Sequence, residues 1–297
     1  MNFAVLLCAY NGEKYIKEQL ESITSQTLKP SLIYIYDWGS TDRTVEIIDS
    51  FQRDNKCLCK VVKKGEPIGV AKGFKFALKE ILSTPDCFDY IALCDQDDIW
   101  LKNKLSTYGK VIEDDPLVDL VFSDVSTIDS DGNTLIESRN HTSPYFTSNI
   151  TYLDESVIFA NPVVGMTILA SNNLCRIYTN TEFKDEIMHD WALVMICNLL
   201  KLNCFYIDKP LVLYRQHSDN VLGNNSKSSR LKLLLSMQNR IKKLLNRYED
   251  FLFRLSVDKR LSNGELVVIV CKSKIIKPIY KTVLCFFIFT NFFHKGQ

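Results

Sequence analysis

The sequence predicts an α/β fold, a mostly parallel sheet flanked by helices, on three observations. Short apolar segments alternate with longer amphipathic ones through the first half of the chain, which is the pattern of strands joined by helical crossovers. The apolar segments are nearly unbroken, as expected for strands covered on both faces. Acidic and small polar residues follow these segments, at the strand ends where α/β proteins bind ligands.

The elements of the first half can be placed in chain order. Each predicted strand is an apolar run, and each predicted helix has apolar residues three or four positions apart. This spacing predicts right-handed crossovers between parallel neighbours. The predicted strand and helix pairs cover residues 3–8 and 13–26, 32–36 and 44–53, 58–63 and 70–82, and 88–94 and 101–113.

The second half is less regular. A strand is predicted at 118–124, followed by a hairpin with the turn Asp131-Gly132, because Asp-Gly favours the turns that join antiparallel strands. Later segments predict a strand at 163–170, a helix at 190–201, strands at 205–208 and 211–215, and a basic amphipathic helix at 227–255.

Charge is distributed unevenly along the chain. The net charge is only +1, but residues 1–220 hold 21 Lys and Arg against 31 Asp and Glu, whereas residues 221–297 hold 15 against 4. This asymmetry indicates two regions with different partners. We therefore predict an α/β domain over residues 1–223 and a basic amphipathic helical extension over residues 224–297.

The extension predicts a peripheral membrane contact. Its last apolar run, 283–293, is shorter than the about 20 residues that a spanning helix needs. Lying in the interface of an anionic membrane accounts for both its lysines and its apolar residues. The alternative is that its helices pack on the α/β domain or on a partner chain. Nucleic-acid binding is not expected, because the basic face lacks interleaved stacking aromatics.

The N-terminus and the cysteines predict a cytoplasmic protein. The chain runs from Met1 into its first strand without a basic leader. Its ten cysteines form no CxxC pair and lie mostly in apolar runs, as reduced core thiols do.

The most informative segment is an apolar run that ends abruptly in Asp95-Gln96-Asp97-Asp98. Three carboxylates within four residues repel one another unless a cation or a proton relieves them. Hard oxygen ligands suit Mg²⁺ or Mn²⁺. A single acid would be enough to cap the helix that follows, so three favour a divalent metal that holds a phosphorylated ligand.

Two earlier loops follow the first and second strands. The first contains Ala9-Tyr10-Asn11-Gly12, and the second contains Asp37-Trp38-Gly39-Ser40-Thr41-Asp42. Such loops line one crevice of a parallel sheet, where an aspartate can accept from a nucleobase and an aromatic ring can stack on it. Alone, each loop is also compatible with an ordinary turn and helix cap.

Together with Gly69-Val70-Ala71, Trp100, His189-Asp190-Trp191 and Arg215-Gln216-His217, these motifs give the chain a clear resemblance. It resembles family 2 glycosyltransferases of the GT-A fold, and within them the bacterial rhamnosyltransferase-type enzymes. The resemblance covers roughly the first three quarters of the chain. The chain departs from the family's pattern at Trp38, where many relatives carry Asp or Asn, and at Pro67, Gly73 and Lys75, which replace Asn residues near the third loop.

The resemblance implies roles for individual residues. Asp190 is implied as the catalytic base, and Asp95 and Asp97 as the metal-binding DxD motif, with Asp98 and His217 as further metal ligands. The implied donor-nucleotide contacts are Ala9, Tyr10, Asn11, Asp37, Trp38, Gly69, Asp95 and Gln96. The implied contacts with acceptor or diphosphate are Trp191, His189, Arg215 and Trp100. For Trp191 alone, packing as the anchor of a helix is the favoured alternative.

The expected function is metal-dependent, inverting transfer of a sugar, rhamnose among the candidates, from a dTDP- or UDP-sugar to a glycan or lipid-linked acceptor. The implied cofactor is Mg²⁺ or Mn²⁺, and the implied place is the inner face of the cell membrane. A sugar nucleotidyltransferase is one alternative, but its Gly-rich N-terminal loop is absent from the sequence. A non-catalytic nucleotide-sugar-binding or membrane scaffold protein is another, and the intact acids argue against it.

Overall fold

The computed structural model describes residues 2–56, 58–143, 153–185, 187–217, 230–259, 261–274 and 276–294, with side chains for all of these except 230–238, 279 and 289–294. Within these ranges nine strands form one sheet. The strands are β1 (Phe3–Ala9), β2 (Leu32–Asp37), β3 (Cys59–Lys63), β4 (Tyr90–Cys94), β5 (Ile99–Trp100), β6 (Val118–Ile128), β7 (Thr134–Ile136), β8 (Leu169–Ser171) and β9 (Asn203–Arg215). The helices are α1 (Ile16–Thr24), α2 (Thr44–Asp54), α3 (Val70–Ile81), α4 (Lys104–Asp114), α5 (Arg139–Thr142), α6 (Asn172–Asn180), α7 (His189–Leu200), α8 (Arg230–Arg254), α9 (Asn263–Lys272) and α10 (Pro278–His294).

The strand order confirms the predicted fold class. The sheet runs β3-β2-β1-β4-β8-β6-β9-β5, with β7 paired to β6. Strands β3, β2, β1 and β4 are mutually parallel, β6 and β9 are parallel, and β8 lies antiparallel between β4 and β6. Helices cover both faces, as helical crossovers between parallel strands require.

The strand register brings three loops to one edge of the sheet. Ala9 at the end of β1 pairs with Asp37 at the end of β2. Leu7 of β1 pairs with Cys94 at the end of β4. The loops that follow these three strands therefore leave the sheet side by side, as expected for the ligand-binding edge of an α/β fold.

The two faces of β1 bury separate apolar layers. Leu6 packs on one face with Phe74 of α3, and Leu7 packs on the other face with Ile16 and Leu20 of α1. Because successive side chains of a strand point to opposite faces, an unbroken apolar run is needed to fill both layers.

Two predictions of strands were wrong in detail. The segment 163–170 forms a 3₁₀ turn at Gly165–Thr167 and contributes only the start of β8. The two short strands predicted after residue 204 are one strand, β9, because a shift in pairing between Ser123 and Asp124 accommodates Pro210. A bulge of this kind lets a strand pass a proline, which has no N–H for the ladder.

The C-terminal helices pack on the rest of the chain. Ile241, Leu244 and Phe251 of α8 and Leu284 of α10 are buried within the apolar layer that also holds Leu6. This is the packing that the sequence left as an alternative to membrane contact. The boundary proposed between residues 223 and 224 lies outside the described residues. No described helix is both long enough and apolar enough to span a bilayer.

Candidate active site

A cavity of about 580 Å³ opens at the edge where β1, β2 and β4 end. Its walls also include the first residues of α3 and α7 and the turn before β8. The sequence-predicted residues that line it are Ala9, Tyr10, Asn11, Trp38, Gly69, Asp95, Gln96, Asp97, His189, Asp190 and His217. The remaining predicted residues, Asp37, Asp98, Trp100, Trp191 and Arg215, lie outside its lining.

The loops after β1, β2 and β4 are joined by hydrogen bonds. The Gln96 side chain accepts from the Tyr10 N–H at 2.9 Å and donates to the Tyr10 carbonyl at 2.9 Å. A Cβ at Gly12 would lie 2.2 Å from Gln96 Oε1, so this contact requires glycine there. The Asn11 N–H donates to Ser40 Oγ at 2.9 Å. The three loops thus form one rim of the cavity.

Asp37 shapes the loop after β2. Its carboxylate is 2% exposed and accepts from the backbone N–H groups of Gly39 at 3.1 Å and Ser40 at 3.2 Å, as well as from the Ser40 hydroxyl. These bonds hold the turn closed, as an Asx turn does. The expected contact of Asp37 with a nucleobase stays a prediction.

Trp38 and Gly73 fit each other. The Trp38 indole lines the cavity and is 7% exposed. A Cβ at Gly73 would lie 3.1 Å from the indole Nε1 and 3.2 Å from Cε2, a separation that requires one of the two groups to move. The two departures from the family's pattern are therefore complementary in space, since the missing side chain at 73 leaves room for the ring at 38.

Carboxylates converge on the cavity. Burial, followed by repulsion from Asp97 and Asp190, raises the pKa of Asp95 to about 7. Like charges that share a site raise one another's pKa unless a cation neutralises them. The arrangement therefore favours binding of a cation.

Asp97 and His217 are the residues that best fit a metal. His217 Nε2 lies 2.8 Å from Asp97 Oδ2, and both side chains line the cavity. Neighbouring ligands of a six-coordinate Mg²⁺, at ligand distances of about 2.1 Å, lie about 3 Å apart. No group of three or more His, Cys, Asp or Glu side chains able to hold a metal occurs among the described residues. Phosphate and water oxygens would complete the coordination, as is usual for Mg²⁺.

Asp98 and Arg215 support the acid loop, residues 95–98, from behind. Asp98 is 1% exposed, burial raises its pKa, and its Oδ1 accepts from the Arg215 N–H at 3.1 Å. The Arg215 guanidinium donates to the Asp97 carbonyl at 3.0 Å and to the Glu18 carboxylate at 2.6 Å. Both residues were expected to face a ligand, but neither lines the cavity. Asp98 Oδ2 is buried and has no hydrogen-bond partner among the described residues. The expected contacts of Asp98 with a metal and of Arg215 with a diphosphate stay predictions.

The two tryptophans expected near an acceptor are also outside the cavity lining. Trp100 is 2% exposed and lies under the Lys104 ammonium, whose nitrogen is 3.2 Å from the ring centroid. Trp191 donates its indole N–H to the Val157 carbonyl at 2.8 Å. These contacts pack both rings against protein atoms, and the expected contact of either ring with an acceptor stays a prediction.

Asp190 lies at the start of α7 and faces the cavity. Its Oδ1 accepts from the Trp191 N–H at 2.7 Å, and its Oδ2 accepts from Asn161 Nδ2 at 3.2 Å. Burial raises the pKa of Asp190 to about 6. A carboxylate with a pKa near neutrality is suited to accept a proton during catalysis.

His189 is buried next to Asp190. Its ring is 2% exposed, stacks on Phe74 with centroids 4.2 Å apart, and has no hydrogen-bond partner for either nitrogen among the described residues. Burial lowers its pKa to about 3, so the imidazole is neutral. Its Nε2 would lie 2.5 Å from a Cβ at Gly165, and glycine is therefore required beside it.

Two residues near the cavity, Asn161 and Lys104, were not predicted from the sequence. Asn161 lies in an apolar segment with no motif to mark it. Lys104 lies on the apolar stripe of α4, at the spacing of Tyr108 and Ile112, and all three side chains are buried. A lysine on the buried face of a helix is rare, so this position could have been noticed from the sequence.

A mostly parallel sheet with an acid loop at the end of β4 and a facing carboxylate on α7 defines the GT-A class of glycosyltransferase. Solved structures share the fold. The chain of S. aureus TarS 1–349 in complex with UDP-GlcNAc matches with a TM-score of 0.56 at 19% identity, over 91% of this chain and 79% of that one. The mannosyltransferase PcManGT from Pyrobaculum calidifontis, in complex with GDP-Man and Mn²⁺, matches with a TM-score of 0.53 at 15% identity, over 90% and 78%.

The glycosyl transferase family 2 model matches residues 4–166, and the chain belongs to that family. The dTDP-rhamnosyl transferase RfbG of Shigella flexneri is 29% identical over 225 residues, 74% of each chain. The UDP-Glc:alpha-D-GlcNAc-diphosphoundecaprenol beta-1,3-glucosyltransferase WfaP of Escherichia coli is 35% identical over 103 residues, which are 35% of this chain and 38% of that protein.

Proposed function

We propose that this glycosyltransferase moves a sugar from a nucleotide donor to a glycan hydroxyl with inversion at the anomeric carbon, and that Asp190 is the base. One observation carries the proposal, namely that Asp190 and the Asp97–His217 pair face the same cavity. A base and a site for the leaving diphosphate are the two groups that such a transfer requires.

The proposed chemistry follows from these positions. Asp190 Oδ2 accepts the proton of the acceptor hydroxyl, whose oxygen attacks the anomeric carbon as the bond to the nucleoside diphosphate breaks. Attack opposite the leaving group inverts the configuration. Asp97 and His217 would hold Mg²⁺ or Mn²⁺, and the bound ion would neutralise charge on the diphosphate. Asn161 holds the carboxylate in place.

The proposed donor is a dTDP- or UDP-sugar, with rhamnose first among the candidates. The name of the Shigella relative, which matches across 74% of both chains, supports a dTDP-linked rhamnose. Tyr10, Asn11, Trp38 and Gly69 line the cavity, and the aromatic rings of Tyr10 and Trp38 are suited to contact the nucleoside.

The test begins with donor binding. Thermal shift against a panel of UDP-, dTDP- and GDP-sugars with Mn²⁺ should show one nucleotide that stabilises the protein, because a ligand selective for the folded state raises its melting temperature. Turnover with a glycan acceptor should then release the nucleoside diphosphate. Release of pyrophosphate instead would indicate a nucleotidyltransferase, and binding without turnover on any acceptor would indicate a scaffold protein.

The proposed acceptor is lipid-linked, for surface polysaccharide synthesis at the inner face of the membrane. The name of the Escherichia relative includes a diphosphoundecaprenol-linked sugar. The C-terminal region supplies exposed cations at Lys242, Lys243 and Lys272, and Phe253 and Phe286 are 77% and 59% exposed. Cations beside exposed aromatic rings are suited to an anionic bilayer surface.

Liposome flotation tests this contact. We expect wild-type protein to float with anionic vesicles and to be released by salt, and the triple variant K242E/K243E/K272E to remain at the bottom. The matched control, K56E/K102E/K110E, makes the same charge change on exposed lysines of the α/β domain. Equal flotation of the two triple variants would contradict a role for the C-terminal surface.

A further inference from the structure

Lys104 is a fully buried lysine close to the acid loop, and burial lowers its pKa to about 7 against the opposing effect of Asp98 and Asp95. Its side chain is 0% exposed, and its ammonium lies 3.2 Å from the centroid of the Trp100 ring. The contact that orients it is a hydrogen bond from Nζ to the Met166 carbonyl, at 2.8 Å. Desolvating a lysine costs more than burying an apolar side chain of the same length. Packing alone therefore does not account for a lysine here.

Helix α4 holds the turn before β8 at two points. One turn of helix after Lys104, the Tyr108 hydroxyl donates to the Thr167 carbonyl at 2.6 Å. Because residues four apart lie on the same face of a helix, both side chains reach the same 3₁₀ turn, Gly165–Thr167. The turn is thus attached to the helix that directly follows the acid loop and β5.

The same chain segment reaches the proposed base at its other end. Asn161 Nδ2 donates to Asp190 Oδ2 at 3.2 Å and to the Val163 carbonyl at 3.1 Å. The wall segment, residues 161–167, therefore contacts Asp190 at its start and Lys104 near its end. Val164, Gly165 and Met166 line the cavity between these contacts.

We propose that Lys104 is a positioning residue for sugar transfer, which fixes the wall segment and, through Asn161, the Asp190 carboxylate relative to the acid loop. The inference rests on the proposed function, since it assumes that Asp190 is the base. Lys104 itself touches no reacting atom. Lys104 acts by fixing the distance between the base and the bound donor. The rate of sugar transfer is sensitive to changes of about 1 Å in this distance.

The test uses the full-length chain and the variant Lys104→Met, which keeps the length of the side chain and removes the donor. Lys110→Met is the matched control, because Lys110 is exposed on the same helix. Tyr108→Phe is a second variant that removes only the hydroxyl, which donates to the Thr167 carbonyl and also lies 3.1 Å from Ser123 Oγ of β6. It keeps the proposal testable if Lys104→Met does not fold.

Two measurements are made on the folded variants. Hydrogen exchange of the wall segment should be faster in Lys104→Met and Tyr108→Phe than in wild type and in Lys110→Met. With donor and acceptor, kcat should fall roughly 10- to 100-fold, while the affinity for the nucleoside diphosphate stays within about twofold. A purely structural role would lower the melting temperature and leave kcat unchanged at temperatures where the protein is folded.

The outcomes separate this proposal from the proposed function. If wild-type protein turns over no donor, the proposed function fails, while hydrogen exchange still reports whether Lys104 holds the wall segment. Unchanged exchange in both variants, or turnover within about twofold of wild type, would overturn the positioning role.

Discussion

Asn161 donates its side-chain amide to Asp190 Oδ2 at 3.2 Å, and the same nitrogen donates to the Val163 carbonyl at 3.1 Å. The other carboxylate oxygen of Asp190 accepts from the backbone at Trp191. Both oxygens are therefore held, and the carboxylate has a defined orientation toward the cavity. A fixed direction for the accepting oxygen is what distinguishes a catalytic base from an acid that only adds charge.

Asp190→Asn should abolish most of the transfer. Asparagine keeps the shape of the side chain but does not accept a proton at neutral pH, and the loss of a general base costs about 10²- to 10⁴-fold in rate. Nucleotide binding should be retained, because the rim residues are unchanged. Single-turnover rates and nucleotide-induced thermal shifts measure the two effects. Wild-type rates in Asp190→Asn would rule out Asp190 as the base.

Activity should depend on pH through Asp190. Burial raises its pKa to about 6, and the base works only when ionised. We therefore expect kcat to fall by about tenfold per pH unit below that value and to be level above it. The measurement is kcat over a pH series at saturating substrate.

Asn161→Ala should raise the pH below which kcat begins to fall. The lost amide donor had favoured the ionised carboxylate, and without it the pKa of Asp190 rises. Asn173→Ala, a change at an exposed asparagine of α6, is the control. If kcat falls below the same pH in Asn161→Ala as in wild type, a group other than Asp190 controls the pH dependence.

Metal dependence should be traceable to Asp97 and His217. Adding Mn²⁺ should increase the nucleotide affinity of wild type more than that of His217→Ala. Loss of an outer-shell partner at a metal site costs roughly 10- to 100-fold, and we expect loss of the ligand His217 to reduce the gain by at least as much. His141→Ala is a matched control, because His141 also lies 2.8 Å from a carboxylate, that of Asp208, and lines no part of the cavity. Titration calorimetry with and without EDTA gives the affinities. An equal response to Mn²⁺ in both variants would remove His217 from the metal site.

Gly165→Ala should reduce both stability and activity. The new Cβ would lie 2.5 Å from His189 Nε2, and relieving such a contact in a packed interior costs about 1–3 kcal/mol. The movement would displace His189 and its neighbour Asp190, so kcat should fall as well. Gly264→Ala, where the nearest atom would be 3.9 Å away, should change neither kcat nor stability by more than about 1 kcal/mol. Urea unfolding and kcat compare the two variants.

The fold and the edge that carries the site could be predicted because they depend on local patterns. Apolar runs identify the strands, and parallel strands must end at the same edge. The side-chain directions within the acid loop could not be predicted. Asp97 faces the cavity, whereas Asp98 faces inward because its carboxylate accepts from the backbone N–H of Arg215. Arg215 lies 117 positions further along the chain. No local pattern encodes such a distant partner.

The wall segment shows a second limit of sequence reasoning. Residues 163–170, which overlap the wall segment, are rich in apolar and β-branched residues. This composition predicts a strand. The hydrogen bonds from Lys104 and Tyr108 instead hold the middle of this segment as a turn. Tertiary contacts of this kind override local propensity.

Because Trp38 and Gly73 fit each other, we expect that nucleotide preference cannot be exchanged between relatives by changing only one of these two positions. The shape of the cavity lining here is set jointly by Trp38, on the loop after β2, and Gly73, inside helix α3. The ring at 38 fills the volume that a side chain at 73 would take. A chimera that imports aspartate at 38 alone would leave a hole about the size of an indole above α3. We therefore expect donor preference to be transferable only when both positions are replaced together.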